Sequence, residues 1–117
     1  MRSVSEQAPV FVFTGVMDMR MGVDRLAETI RTFQLKPTDG SYYVFFSRQR
    51  NRVRIFYWEA DGYALWTKRL EAGAYRVEKR DGVERLTAVD LYALLSGTDF
   101  SRLRLKKSVE QGLYSAG

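Results

Sequence analysis

The chain has 117 residues, a length that fits one compact domain and leaves little room for a second. Apolar residues make up 45% of it and charged residues 28%, a balance that can build a buried core. Because there is no Cys and no His, the sequence excludes disulfides, thiolate metal sites, cysteine nucleophiles and histidine bases. The excess of 19 Lys and Arg over 14 Asp and Glu favours a polyanionic partner or an acidic protein surface.

The two ends of the chain differ from its middle in composition. We expect residues 1–8 to be a disordered tail, residues 9–100 to form the domain, and residues 101–117 to be a basic tail. No window has the apolar length of a secretory signal or a membrane span. The sequence therefore predicts a cytoplasmic protein that does not contact a membrane.

The first part of the chain predicts one strand and one helix. The apolar run at residues 10–13 is typical of a buried strand and is followed by a Thr14-Gly15 turn. From Val23 to Phe33 the apolar positions repeat with a helical period. We expect this helix to begin near Asp18 or Gly22 and to end before the turn-rich residues 36–40.

Aromatic and β-branched residues dominate the middle of the chain. They predict four strands, at residues 42–46, 53–58, 63–70 and 75–78. Asp61-Gly62 is the strongest hairpin signal, because Asp and Gly tolerate the positive φ that a two-residue turn requires. Short connections make neighbouring strands antiparallel, so these four strands should form a meander.

A second helix is predicted after the strands. Thr87 and Asp90 have the spacing of a capping box, Leu91 and Leu94 begin an apolar stripe, and Gly97 stands where a helix stops. The expected fold is α+β, with an antiparallel meander sheet of four to five strands and the element order β-α-β-β-β-β-α. Both helices are expected to pack on one face of this sheet.

Basic residues are concentrated between residues 48 and 80. Nine Lys and Arg and four acids lie there, a surplus equal to the +5 of the whole chain. A strand period of two places Arg52 and Arg54 on the same face as Phe56 and Trp58. Such a face can bind DNA phosphates by counterion release; alternatively, the arginines are merely solvated and protect the sheet from aggregation. The candidate DNA-binding residues are Arg48, Arg50, Arg52, Arg54, Lys68 and Arg69.

Catalytic chemistry has little support in the sequence. A metal-dependent nuclease would need two or three carboxylates around Mg²⁺, yet Asp18, Asp61 and Asp90 each have a structural explanation as a cap, a turn residue and a helix start. No phosphate-binding glycine loop, metal-ligand spacing or nucleophile motif occurs. We therefore predict no catalytic residue, no metal, no cofactor and no small-molecule substrate.

Residues 14–22 combine three methionines with Asp18 and Arg20. One interpretation is a strand-to-helix turn in which the methionines fill gaps and Arg20 pairs with Asp18 or Asp24. The other is a flexible methionine surface that binds a partner protein.

Three blocks of the sequence, residues 14–27, 44–71 and 86–100, resemble one known family in order and spacing. The chain resembles the short TnpB accessory proteins, which are the second open reading frame of the insertion sequence 66 transposon family and are distinct from the RNA-guided nuclease of the same name. It departs from the family at Met21, where a basic residue is usual, and at Ala60, where Gly is frequent. The residues that match the family signature are Asp18, Met19, Arg20, Gly22, Trp58, Asp61, Gly62, Lys68, Arg69 and Leu70.

The resemblance implies a role in DNA transposition, beside a separate and larger transposase that supplies the acidic active site. We expect a non-enzymatic accessory protein that contacts the DNA backbone near the element ends, with the transposase as a second candidate partner. The alternative is a protein-interaction module that recruits or stabilises the transposase without binding DNA.

Overall fold

A computed structural model describes residues 8–78 and 81–103 of the chain, so most of both expected tails lies outside the described residues. Five strands form one mixed sheet in the order β4-β3-β2-β1-β5. The α+β class and the element order are confirmed. The elements are β1 (Val10–Phe13), α1 (Val23–Thr32), β2 (Tyr42–Phe46), β3 (Arg52–Glu59), β4 (Gly62–Arg69), β5 (Val83–Leu86) and α2 (Ala88–Leu95).

The sheet contains one parallel pair, β1 and β2, in which Val10 lies opposite Tyr42 and Phe13 opposite Phe45. The pair is parallel because α1 carries the chain back across the sheet between the two strands. Strands β2, β3 and β4 form an antiparallel meander, and β5 adds antiparallel to the free side of β1. The expected four-stranded meander is therefore reduced to three strands, β2, β3 and β4.

Residues 75–78 are not a strand, and that detail of the prediction was wrong; the last strand is Val83–Leu86. The main chain of this segment makes hydrogen bonds with the turn between β2 and β3 and with Phe100 N instead of with a neighbouring strand. Tyr75 N donates to Arg50 O at 2.7 Å, and Nε of the Arg50 side chain donates to Val77 O at 3.1 Å. Tyr75 and Val77 are buried, so their apolar character reflects core packing.

The two helices belong to different core clusters, on opposite faces of the sheet, whereas both were expected on one face. Alternate residues of β2 point to the two faces, which explains why this apolar strand is buried along its whole length. The α1 cluster includes Phe13, Leu26, Ala27, Ile30, Tyr43, Phe45 and Phe56. The α2 cluster includes Val10, Val12, Val44, Phe46, Ile55, Leu86, Leu91, Leu94 and Phe100.

Residues next to the helix ends determine where α1 and α2 begin and where α2 ends. Gly22 occupies the N-cap position of α1 without a side-chain hydrogen bond, so Asp18 is not the cap. The predicted capping box of α2 is confirmed, because Asp90 N donates to Thr87 Oγ1 at 3.1 Å and Thr87 N donates to the Asp90 carboxylate at 3.3 Å. Gly97, at φ 109°, follows the end of α2 in a conformation that favours glycine.

The hairpin between β3 and β4 is confirmed, but its loop lies one residue earlier than expected. Glu59 pairs with Gly62, which leaves Ala60 and Asp61 as the two loop residues. The positive φ falls on Ala60, at 56°. A side chain in this left-handed region costs energy that glycine avoids.

We predict that Ala60→Gly raises the free energy of unfolding by about 0.5–1 kcal/mol, because it removes the strain of a Cβ at positive φ. Ala64→Gly, in the middle of β4, is the matched control and should lower stability by about 0.5–1 kcal/mol. Urea denaturation followed by tryptophan fluorescence measures both. Equal destabilisation by the two substitutions would contradict the assignment of strain to Ala60.

Candidate nucleic-acid interface

One edge of the sheet gathers most of the residues singled out from the sequence. The carboxyl ends of the parallel strands β1 and β2 meet there, and open sheets commonly bind ligands at such ends. The antiparallel register brings the start of β3 and the end of β4 to the same edge. The edge therefore carries two connecting segments, residues 14–22 after β1 and residues 47–51 between β2 and β3.

Arg50 is an internal residue of this edge, although the sequence predicted it to bind DNA. It is 4% exposed, and its guanidinium donates to four main-chain carbonyl oxygens. The acceptors are Val77 at 3.1 Å from Nε, Gly15 at 3.4 Å from Nη1, Glu78 at 2.6 Å from Nη2, and Thr14, also from Nη2. Arg50 thus ties together three segments that are distant in sequence. A DNA phosphate could reach it only by displacing these bonds.

We predict that Arg50→Met lowers the free energy of unfolding by about 3 kcal/mol, because it leaves several buried carbonyl groups without a donor. The neighbouring Arg48 is exposed, so Arg48→Met is the matched control and should change stability by less than about 0.5 kcal/mol. Urea denaturation midpoints compare the two. Similar small effects from both substitutions would show that the Arg50 bonds do not hold the edge together.

The Arg54 side chain also makes hydrogen bonds within the protein. Its Nη1 donates to Met21 O at 2.6 Å and to Met19 O at 3.2 Å, and partial burial lowers its pKa from the ordinary value. The bonds join the centre of β3 to the segment that precedes α1. The face of the sheet that carries α1 is therefore closed over Arg54, since α1 and this segment cover it.

The remaining four predicted cations are exposed at the same edge. Arg52 and Arg69 lie directly opposite each other on β3 and β4, and their side chains leave the same face of the sheet. Lys68 points to the other face, and Arg48 lies in the turn after β2. Arg69 approaches Glu71 at 3.9 Å with both side chains exposed, an arrangement that contributes little to stability.

A groove separates the turn after β2 from the segment after β1. It has a volume of about 730 Å³ and includes Arg48 and Arg52 among its lining residues. Sequence reasoning missed this groove and its amide residues Gln49 and Asn51, because nothing in the local pattern marks them. Its full lining is Val16, Met17, Asp18, Met19, Ser47, Arg48, Gln49, Asn51 and Arg52.

Asp18 and Arg20 form an ion pair beside the groove, as one interpretation of the sequence predicted. Arg20 Nη2 lies 2.9 Å from Asp18 Oδ2, and the Arg20 main-chain N–H also donates to Asp18 Oδ1 at 2.9 Å. The side-chain hydrogen bond from Arg20 is the main cause that lowers the pKa of Asp18 from 3.8 to about 2. The carboxylate is therefore partnered by a cation and does not act as an isolated negative charge in the groove.

We predict that Arg20→Ala raises the pKa of Asp18 from about 2 toward 3.8, because the carboxylate loses its principal donor. Since the pair lowers the pKa, its stabilising contribution is complete above pH 3.8 and is lost as the pH falls toward 2. NMR titration of the Asp18 carboxyl carbon measures the midpoint. Arg25→Ala is the control and should shift it less, because Arg25 acts only as a nearby charge.

The acidic residues considered for a nuclease have separate positions. Asp18 is paired with Arg20, Asp61 lies in the β3–β4 loop, and Asp90 completes the capping box of α2. In the described ranges, no three His, Cys, Asp or Glu residues gather closely enough to hold a metal ion.

The other signature residues lie along the meander. Trp58 packs edge-on against Tyr63, with ring centroids 5.1 Å apart, and Asp61 and Gly62 complete the β3–β4 hairpin. Leu70 packs against the α2 cluster, and its N–H donates to Asn51 O at 2.7 Å. These residues therefore shape the sheet and its edge.

No helix in residues 8–78 or 81–103 has the length and apolar character needed to span a membrane.

Comparison with known proteins identifies the family to which this chain belongs. Residues 8–105 match the family described as IS66 Orf2 like protein. The chain therefore belongs to the IS66 Orf2-like family, whose members are accessory proteins of insertion-sequence transposition. The resemblance noted in the three sequence blocks is confirmed.

Two relatives come from Sinorhizobium fredii strain NGR234. The uncharacterized protein y4hO is 32% identical over 93 residues, which cover 78% of this chain and 81% of the relative. The uncharacterized protein y4jC is 29% identical over 99 residues, which cover 83% of this chain and 85% of the relative. No solved structure matches the chain.

Proposed function

We propose that this protein is a non-catalytic accessory factor that contacts the DNA backbone near the ends of its insertion sequence. The observation that carries the proposal is the group of exposed cations at one edge of the sheet. We call this group the cationic edge; it consists of Arg48, Arg52, Lys68 and Arg69. Arg50 and Arg54 are left out, because their guanidinium groups donate to main-chain carbonyls.

The pairing of Arg52 with Arg69 supports an anionic ligand. Like charges directly opposite each other on neighbouring strands repel and destabilise the pair. A phosphate between the two guanidinium groups removes this repulsion and accepts hydrogen bonds from both. Phosphate contacts of this kind position a protein on DNA without reading its sequence.

Counterion release provides the physical driving force for such binding. Each phosphate that a cation neutralises frees condensed counterions, so the affinity falls steeply as salt rises. The cationic edge offers four candidate contacts to a polyanion. Any recognition of the element ends beyond this would come from other residues or from a partner.

We predict that Arg52→Ala/Arg69→Ala weakens DNA binding at low salt by about tenfold or more. It should also reduce the slope of log affinity against log salt by about 2, one for each lost phosphate contact. Fluorescence anisotropy with a labelled duplex that carries an element end, measured across a salt series, gives both quantities.

The matched control is Arg85→Ala/Arg102→Ala, which removes the same net charge from exposed positions away from the cationic edge. It should keep the slope of the parent protein within about 0.5. Equal losses in the two double variants would mean that only net charge matters and would refute this site. Failure of the parent protein to bind DNA at any salt concentration would refute DNA binding itself.

A second candidate function, docking to the transposase, is favoured by an apolar cavity on the other side of residues 14–17. The cavity has a volume of about 340 Å³ and lies between Phe13, Phe33 and Val16. Phe33 is 48% exposed and Val16 is 44% exposed, so two large apolar side chains at this cavity are open to a partner. This surface becomes the leading candidate if the protein does not bind DNA.

A further inference from the structure

The groove beside the cationic edge has two walls of different chemistry. One wall is the turn after β2, which contributes Arg48, Arg52, Gln49 and Asn51. The other is the segment after β1, which contributes Val16, Met17, Asp18 and Met19. A ligand that fills the groove therefore meets cations and amides on one side, and apolar side chains with one ion-paired carboxylate on the other.

The polar wall is held in place with its donors available. Ser47 Oγ donates to Asn51 Oδ1 at 3.2 Å and accepts from Arg52 N at 3.1 Å, and these bonds fix the turn. Within the part of the chain that the structure describes, Arg48 and Arg52 have no ion pair. Two guanidinium groups and two side-chain amides thus face one concave space.

The apolar wall is equally constrained. Met17 N donates to Phe46 O at 3.3 Å, and Arg54 holds the carbonyl groups of Met19 and Met21. Asp18 belongs to this wall, but its pairing with Arg20 partly offsets the repulsion it would exert on an anion. The wall therefore presents methionine side chains from a fixed main chain, and such side chains adapt to flat apolar surfaces.

We propose that this groove binds an unpaired DNA strand, with phosphates on Arg48 and Arg52 and a base between the amides and the methionines. The inference rests on the proposed DNA-binding function and adds to it a preference for single-stranded DNA. A duplex is a convex cylinder whose bases are stacked inside, so it can touch the rim but cannot fill a concavity of about 730 Å³. An unpaired strand exposes both its phosphates and the faces and edges of its bases.

The mixed chemistry of the walls favours a nucleotide over a simple polyanion. Phosphate alone would be satisfied by the guanidinium groups and would leave the methionine wall without a partner. Amide side chains such as Gln49 and Asn51 can donate to and accept from base edges. Apolar contact with the base face supplies affinity without requiring one particular sequence.

The experiment compares a labelled single strand of about 16 nucleotides with the duplex made from the same strand, at one salt concentration. The parent protein should bind the single strand about tenfold more tightly, as expected if one base is held in the groove. Met19→Ala/Gln49→Ala should remove most of this preference while changing duplex affinity by less than about twofold. Arg52→Ala/Arg69→Ala should weaken the binding of both DNAs.

The control variant is Met21→Ala/Gln34→Ala, which changes the same residue types outside the groove and should keep the preference. Urea denaturation of every variant verifies that each is folded. If the parent protein binds duplex as tightly as single strand, or if Met19→Ala/Gln49→Ala keeps the preference, the groove inference is refuted while DNA binding by the cationic edge stands. If neither DNA binds, both proposals fail together.

Discussion

The edge of the sheet that carries the proposed site depends on one buried guanidinium group. Arg50 donates to the carbonyl oxygens of Thr14, Gly15, Val77 and Glu78, and it lies 5.9 Å from the centre of the Phe46 ring. A buried charge is costly unless its donors are satisfied, and here main-chain carbonyls satisfy them. The same bonds supply donors to segments that have no strand partner of their own. The groove is therefore bounded by connecting segments that a single residue holds in register.

The middle of the sheet is covered on both of its faces. The α1 and α2 clusters enclose β2 from opposite sides, so the middle of the sheet is closed to ligands, and the accessible positions lie at the ends of the strands and along β4. Arg54 shows the consequence, since it lies in the middle of β3 and is enclosed by the segment before α1. Arg52 and Arg69, at the ends of their strands, remain accessible. A site for a large polyanion on this fold is thus an edge site and not a face site.

Local signals in the sequence predicted those elements whose stabilising contacts lie within a few residues along the chain. The capping box of Thr87 and Asp90 and the helical period after Val23 act within a few residues, and both are confirmed. The hairpin after β3 also forms, although its strained position is Ala60. The strand predicted at residues 75–78 does not form, because this segment makes hydrogen bonds with Arg50, which is far away in the chain. An alternating apolar pattern cannot distinguish a strand from a segment that buries Tyr75 and Val77 by other means.

The sequence by itself determined the domain class, the order of elements, the family and the region in which the positive charge is concentrated, because these depend on composition and on local or linear patterns. Only the tertiary structure decided which arginines remain free. A strand period places Arg52 and Arg54 on one face, yet one is exposed and the other is covered by residues 19–21. The difference arises from contacts between segments more than thirty positions apart, as the separation of Arg54 and Met21 shows. Side-chain availability is a property of packing, and no pattern along the chain encodes it directly.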